Sequence, residues 1–253
     1  MYPVGSEARS QERGEQTSGH LLGGRVRYNQ LRSGFRSGIE PVFLAAAVPA
    51  ERGARVLEGG SGAGATLLCL SARVPALEGV GIEHDPALVA LARQNAAANG
   101  WAELQFITAD MALLPPLGAF DHACANPPYH EPTGTPSPEA SRRSAKRASP
   151  TMMRIWAAAL AQPLRAGGTL TFILPAALLH DAAAAFAAAS CRPTAALPLW
   201  PKAGHPAKLL LLRGTKGSRA PFRLLPGLVL HISDGRFTPE ADAILRGGDA
   251  LAL

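Results

Sequence analysis

Four short apolar runs between residues 55 and 126 each close on a glycine, an acid or an asparagine. The first, Arg55-Val56-Leu57-Glu58-Gly59, breaks into the loop Gly60-Ser61-Gly62-Ala63-Gly64 ahead of an apolar stretch at 65–72. The second, Gly79-Val80-Gly81-Ile82, ends on Glu83-His84-Asp85, the third, at 104–109, ends on Asp110, and the fourth, Phe120–Ala125, runs into Asn126-Pro127-Pro128-Tyr129. Between the second and third, residues 87–99 have helical signals: Asp85 as N-cap, Pro86 in the first turn and Asn99-Gly100 as the stop. Strand-like runs alternating with helical ones predict a doubly wound α/β sheet, whose loops all open at the carboxyl ends of the strands. Glu58, the glycines, Glu83, Asp110 and Asn126 are therefore expected around one crevice.

Outside this core the pattern predicts a helix at 38–48, apolar on one face and ended by Pro49, and a second at 152–164. Gly167-Gly168 then turns into a strand at 169–174, Pro175 opens an alanine-rich helix through 189, and strand-like runs at 208–213 and 224–232 close the chain. Residues 1–19 are polar and charged and read as a flexible arm, leaving 20–253 as one domain with an N-terminal helical extension.

The glycine loop allows a backbone to approach a phosphate- or ribose-bearing ligand and to turn tightly into a helix. Glu83, about twenty residues further on, stands where an acid hydrogen-bonds ribose hydroxyls, a group present in both NAD and S-adenosylmethionine. The bland alternatives are a solvated strand-end acid for Glu83 and a helix N-cap before Met111 for Asp110. The last turn is more particular. An exocyclic amine on a planar ring is a poor nucleophile because its lone pair is delocalised. The side-chain oxygen of Asn126 and the carbonyl of Pro127, held in a proline-stiffened turn, can accept both of its N–H bonds and aim the lone pair at a methyl donor. Tyr129 would offer a ring face for a base drawn out of its stack.

Composition narrows the partners. The formal charge of +6 and pI of about 9.7 favour a polyanion. Residues 130–150 are rich in Pro, Ser and Thr, carry Arg142, Arg143, Lys146 and Arg147, and read as a long loop at the mouth of the crevice suited to backbone phosphates. The alternative is a solvated loop. Arg213, Lys216 and Arg219 form another basic cluster, which is given no catalytic role, and His130 reads as a surface residue. Cys69, Cys124 and Cys191 are isolated in apolar contexts, as expected of reduced thiols in a cytoplasmic protein, and no Cys/His spacing points to a metal. No apolar run reaches the length of a bilayer span.

With its glycine loop, acids and Asn-Pro-Pro-Tyr turn, the chain resembles the Rossmann-like class I S-adenosylmethionine-dependent methyltransferases, whose sheet is doubly wound and seven-stranded. More narrowly it is similar to the bacterial valine-tRNA adenine-N6 methyltransferases. The narrower likeness also rests on Leu22-Gly23-Gly24-Arg25-Val26-Arg27-Tyr28-Asn29-Gln30 and Gly34-Phe35-Arg36-Ser37-Gly38-Ile39-Glu40-Pro41, a block that in that family helps form the cofactor pocket. The resemblance implies that Glu58, Gly60, Gly62 and Gly64 shape the methionine end of an S-adenosylmethionine site. Glu83 would bind its ribose, Asp110 its adenine amino group, and 126–129 the target adenosine, with Asn126 also bordering the cofactor. It implies a tRNA substrate methylated at N6 of adenosine 37, and makes the last two strands the antiparallel pair that finishes the sheet. Glu58 stands where the family more often has Asp, and Gly59 where it has an aliphatic residue, departures expected to loosen the strand end. Three other readings remain: N5-glutamine methylation of a protein such as a release factor, a nucleotide-dependent oxidoreductase, and a noncatalytic RNA-binding protein.

Overall fold

A computed structural model describes residues 16–32, 38–101, 103–129 and 150–253. The basic segment expected to contact RNA falls almost wholly on 130–149, outside the described residues, as do His130 and residues 33–37 of the N-terminal block.

The chain enters through a hairpin. Strand β1 (Gln16–Leu21) pairs antiparallel with β2 (Val26–Leu31), Gln16 opposite Leu31 and Leu21 opposite Val26, around a 3-10 turn at Leu22–Gly24. Residues 16–19 therefore belong to a strand and not to the flexible arm that their polarity suggested. Their side chains are largely exposed, so the pairing rests on backbone hydrogen bonds that polarity does not reveal. Helix α1 (Glu40–Ala47) follows, with Pro41 in its first turn. Every residue from Pro41 onward is buried, because α1 is enclosed by neighbouring elements on more than the single face expected.

The sheet is built from β3 (Arg55–Gly59), β4 (Glu78–Glu83), β5 (Gln105–Thr108), β6 (Phe120–Ala125), β7 (Leu164–Pro175), β8 (Cys191–Lys202), β9 (Leu209–Lys216), β10 (Arg223–Leu224) and β11 (Leu228–His231). Strand order is β10-β8-β9-β7-β6-β3-β4-β5, with β11 also paired to β8. Strands β3 to β7 run parallel, and β9 is antiparallel to both neighbours. Seven strands, β8-β9-β7-β6-β3-β4-β5, form the doubly wound sheet that the pattern predicted. The order reverses between β3 and β6, which is where such sheets open their ligand crevice.

The end of the sheet differs from the sequence reading. Strand β8 went unrecognised because Pro193, Pro198 and Pro201 interrupt its pattern. Proline is tolerated there because the outer side of β8 is covered only by the short β10 and β11. Residues 224–232 are not one antiparallel strand but part of these two parallel additions. Strand β7 also starts earlier than expected. Its register slips between the Phe120–Leu164 and His122–Thr169 pairs, across Gly167-Gly168.

Helices α2 (Ala65–Arg73) and α3 (Pro86–Ala98) pack with α1 and the hairpin, around Phe43, Leu44, Leu67, Leu68 and Phe106. Helices α4 (Pro150–Ala161) and α5 (Leu179–Ala188) contribute to the second core, where Phe172 meets Phe186 edge to face at 4.8 Å. Each fully buried phenylalanine or leucine here is worth about 1.5–3 kcal/mol. A short helix, α6 (Pro239–Asp242), precedes the C-terminal segment.

Two of the basic residues turn out to be structural. Arg213 is buried and donates to the carbonyls of Leu253 and Ala47, tying the C-terminal residues to α1; desolvation, with Arg223 nearby, lowers its pKa to about 10. Lys216 donates to the carbonyls of Ala161, Gln162 and Leu164, closing the end of α4. Among the described residues no helix is long and apolar enough to cross a membrane, and no group of three or more His, Cys, Asp or Glu side chains is placed to hold a metal ion.

Candidate functional site

The carboxyl ends of four adjacent parallel strands bring together the residues expected to work together. Gly59 is in register with Ala125 on one side and Ile82 on the other, and Glu83 pairs with Thr108. The glycine loop, Glu83, Asp110 and Asn126 thus each follow or close a neighbouring strand, with strands about 4.8 Å apart.

The loop after β3 is held by its own backbone. Ser61 N donates to Ile82 O at 3.0 Å and Gly64 N to Ser61 O at 2.8 Å. Gly60, Gly62 and Gly64 all have positive φ, +66°, +53° and +90°, conformations that strain other residues. Their surroundings differ. A Cβ on Gly60 would lie 2.6 Å from Trp156 Cη2, and one on Gly64 2.9 Å from Phe106 Cζ, whereas one on Gly62 would meet nothing within 4 Å. Gly60 and Gly64 seat the loop against α4 and β5; Gly62 faces open space and is the point at which a ligand can approach the backbone.

Glu58 sits beneath this loop and is 2% exposed. It bonds the Thr66 side chain and the Leu67 amide in the first turn of α2, but burial outweighs these contacts and raises its carboxyl pKa to about 8. Its Oε2 is buried without a partner among the described residues. Glu58 acts on the site from below, by fixing the start of α2. The expected loosening at Gly59 is not found, because Met111 and Leu160 fill its side-chain space: a Cβ there would lie 3.1 Å from each.

Glu83 is buried and binds backbone. Its Oε2 accepts from Gly62 N at 3.0 Å, and its Oε1 from His84 N at 2.8 Å and Asp85 N at 3.0 Å, with His84 Nδ1 2.7 Å away. It is therefore neither solvated nor idle: it clamps the glycine loop to the end of β4. Oε2 retains lone-pair capacity for a further donor, such as a ribose hydroxyl. Asp110 is exposed, and its Oδ1 accepts from Ala112 N at 2.8 Å in a turn; no helix follows, so it is not a helix N-cap. Its second oxygen is left for a ligand amino group. A ligand-facing glycine beside Glu83, with Asp110 one strand further on and both acids keeping acceptor capacity, fits the ribose and adenine amino group of S-adenosylmethionine.

In the turn after β6, the Tyr129 hydroxyl lies 2.7 Å from Asn126 Oδ1 and is also within hydrogen-bond reach of the Ile173 carbonyl. The ring packs against the core beside α4, and burial, with the charge of Glu40 adding to it, pushes the phenol pKa well up, so the hydroxyl stays protonated. Tyr129 thus has one proton to share between Asn126 Oδ1 and the Ile173 carbonyl and sits between the turn and β7, a role that sequence reasoning did not assign. Asn126 Oδ1 keeps a second lone pair for an incoming N–H. Two open cavities, of about 380 and 460 Å³, lie elsewhere. One is beside 114–119 and Gln162, near the start of β6, and the other beside Trp101 along β5; neither is lined by the loop glycines, Glu83, Asp110 or Asn126.

Sequence reasoning also passed over Asn95. It is fully buried on α3, and its side chain reaches both β2 and the glycine loop. A large amide at a buried helical position is the signal that marks it.

Residues 56–151 match a family model described as a methyltransferase domain. A tRNA1(Val) (adenine(37)-N6)-methyltransferase of Enterobacter is 30% identical over 57% of this chain and 60% of its own length. The protein of the same name from Aeromonas hydrophila is 26% identical over 82% of this chain and 87% of its own. A crystal structure described as a predicted O-methyltransferase from Agrobacterium tumefaciens superposes with a TM-score of 0.70, covering 85% of this chain and 99% of that one at 24% identity.

Proposed function

We propose that this chain, an S-adenosylmethionine-dependent methyltransferase of the class I type, methylates N6 of an adenosine in tRNA, at position 37 of a valine tRNA. The observation that carries the reading is the placement of the Asn126 turn one strand away from the glycine loop, with Gly59 and Ala125 in register. An amine held at that turn lies beside the methyl donor without any movement of the sheet.

The bound cofactor supplies a methyl group on a positively charged sulfur. The chain supplies position. Asn126 Oδ1 and the Pro127 carbonyl accept the two N6 hydrogens and draw the nitrogen toward tetrahedral geometry, while Tyr129 keeps the asparagine amide from turning away. Glu83 and Asp110 hold the ribose and adenine ends, and the glycines let the ligand approach the backbone. Because positioning and desolvation do most of the work, no strong general base is required.

A polyanionic acceptor suits this edge of the sheet. The end of β8 and the loop to β9 carry Lys202, His205 and Lys208. The carbonyl of Lys208 is bonded by Ala176 N just beyond the end of β7, the strand next to β6. In this reading Lys208 is a partner for a phosphate flanking a nucleotide in the turn, Lys202 Nζ being bonded to the Ser233 carbonyl at 3.2 Å.

The test is to incubate the protein with methyl-labelled S-adenosylmethionine and unmodified tRNA, digest the RNA and identify the labelled nucleoside. N6-methyladenosine from the anticodon loop, absent with Asn126→Ala, is the expected result. Label that resists ribonuclease and appears on a protein glutamine would transfer the same chemistry to a different acceptor and overturn the tRNA reading.

A further inference from the structure

Asn95 in helix α3 and Asn99 at its C-cap lie one turn apart, and both bind the N-terminal hairpin as a neighbouring strand would. Asn99 Oδ1 accepts from Arg27 N at 2.9 Å and its Nδ2 donates to Arg27 O at 2.8 Å. Asn95 repeats the pattern two strand residues later: Oδ1 accepts from Asn29 N at 2.9 Å, and Nδ2 donates to Asn29 O at 2.9 Å. Four residues of helix rise about 6 Å and two residues of strand about 6.6 Å, so the two repeats match. The opposite side of β2 is paired with β1, Ser18 across from Asn29 and His20 across from Arg27, so the two amides take the place of a neighbouring strand at Arg27 and Asn29.

Each asparagine spends its second amide hydrogen differently: Asn99 Nδ2 donates to the carbonyl of Asn95 at 2.8 Å, one turn back along the helix. Asn95 Nδ2 also donates to the carbonyl of Ala63 at 3.0 Å, and Ala63 lies between Gly62 and Gly64 in the cofactor loop. Asn95 is fully buried, and both its donor hydrogens are committed, one to the hairpin and one to the loop. We infer that Asn95 is a positioning residue for the cofactor site, through which the seating of the N-terminal hairpin fixes the glycine loop in its ligand-binding form. The inference rests on the reading that this loop takes S-adenosylmethionine. When the hairpin is seated, Asn29 holds the Asn95 amide in the orientation that meets Ala63 O. When it lifts, the amide turns, the carbonyl loses its donor, and the peptide facing the ligand beside Gly62 is free to rotate.

Asn99 is the internal control, since it binds β2 in the same way and its further bond goes to the Asn95 backbone carbonyl, not to the loop. Calorimetric titration with S-adenosylhomocysteine is expected to show Asn95→Ala binding about tenfold or more weakly, and Asn99→Ala binding within about twofold of wild type. With methylation as the readout, Asn95→Ala should raise the KM for the cofactor and leave kcat at saturation nearly unchanged. Equal losses in the two variants, or none in Asn95→Ala, would overturn the inference, since then the asparagines only anchor the hairpin. Should Asn95→Ala fail to fold, hydrogen exchange in the wild-type protein decides. S-adenosylhomocysteine is expected to slow exchange of the Asn29 amide severalfold, and an unchanged rate with ligand bound overturns the coupling. A wild-type protein that takes up no S-adenosylhomocysteine would instead sink the cofactor reading beneath it.

Discussion

The two halves of the site are held in different ways. At the glycine loop, the amides of Ser61 and Gly64 bond backbone carbonyls and that of Gly62 meets a carboxylate fixed by other amides, so geometry depends on backbone freedom at three glycines. At the acceptor turn, the decisive contact joins two side chains, the Tyr129 hydroxyl and the Asn126 amide, with the Ile173 carbonyl of β7 within reach of the same proton. The cofactor half should therefore fail when a side chain is added, and the acceptor half when one is removed.

The largest effect is expected at the acceptor. Asn126→Ala removes the oxygen that orients the nucleophile and should lower kcat by about two to three orders of magnitude, with the Kd for S-adenosylmethionine changed less than about threefold. Steady-state kinetics with isothermal titration checks both halves of that statement; a large loss of cofactor affinity would mean that the two halves are not separate.

Gly60→Ala is the matching change on the cofactor side. The new methyl would meet the Trp156 ring at 2.6 Å in a backbone conformation that disfavours any side chain. Together these cost about 2–4 kcal/mol, or roughly 5–10 °C in Tm for a chain of this size. Gly62→Ala has the same backbone problem but open space around it, so it should cost only about 1–2 kcal/mol while still obstructing the ligand. Differential scanning calorimetry separates the two, and equal Tm losses would show that the Trp156 contact does not matter.

Tyr129→Phe sharpens the acceptor half. The ring stays, but the hydroxyl that holds Asn126 is lost, and a hydrogen bond of this kind is worth about 1 kcal/mol. A fall in kcat of about fivefold to tenfold, with unchanged cofactor affinity, is expected from kinetics under saturating conditions. Undiminished kcat would leave Tyr129 only its ring face.

The parts of this molecule that could be read from sequence are those in which residue type and conformation are tightly coupled. Glycines with positive φ mark the loop, acids and an asparagine mark the strand ends, and Asp85-Pro86 starts α3, its carboxylate accepting from Ala87 N at 2.9 Å. Strand β8 escaped because its three prolines obey local rules that edge position overrides. The hairpin strand β1 escaped because pairing through the backbone leaves no apolar alternation. Asn95 and Tyr129 escaped for another reason. Their partners are backbone carbonyls 32 and 44 residues away, and no local pattern encodes such a contact.

The smallest expected effect on turnover, and the most selective one on stability, is at Glu58. Its carboxyl is raised by burial from an ordinary 4.5 to about 8, so between these values the folded chain holds a proton that the unfolded chain has released. Stability from this group is complete below about pH 4.5 and is lost as pH rises to about 8, at about 1.4 kcal/mol per unit in between. Other groups titrate over part of this range, His122 among them with its pKa lowered chiefly by desolvation from an ordinary 6.5, so the wild-type curve alone does not isolate Glu58. Glu58→Gln does, because the amide has nearly the same shape and is neutral throughout. The difference in unfolding free energy between wild type and Glu58→Gln, followed by urea denaturation from pH 4.5 to 9, should move steadily in favour of the variant up to about pH 8 and then level off. Turnover at neutral pH should stay within about twofold, because the neutral acid already has the charge of the amide. A flat difference would mean that Glu58 is ionised in the folded chain, and a large loss of turnover would place its carboxylate in contact with the ligand instead of beneath the loop.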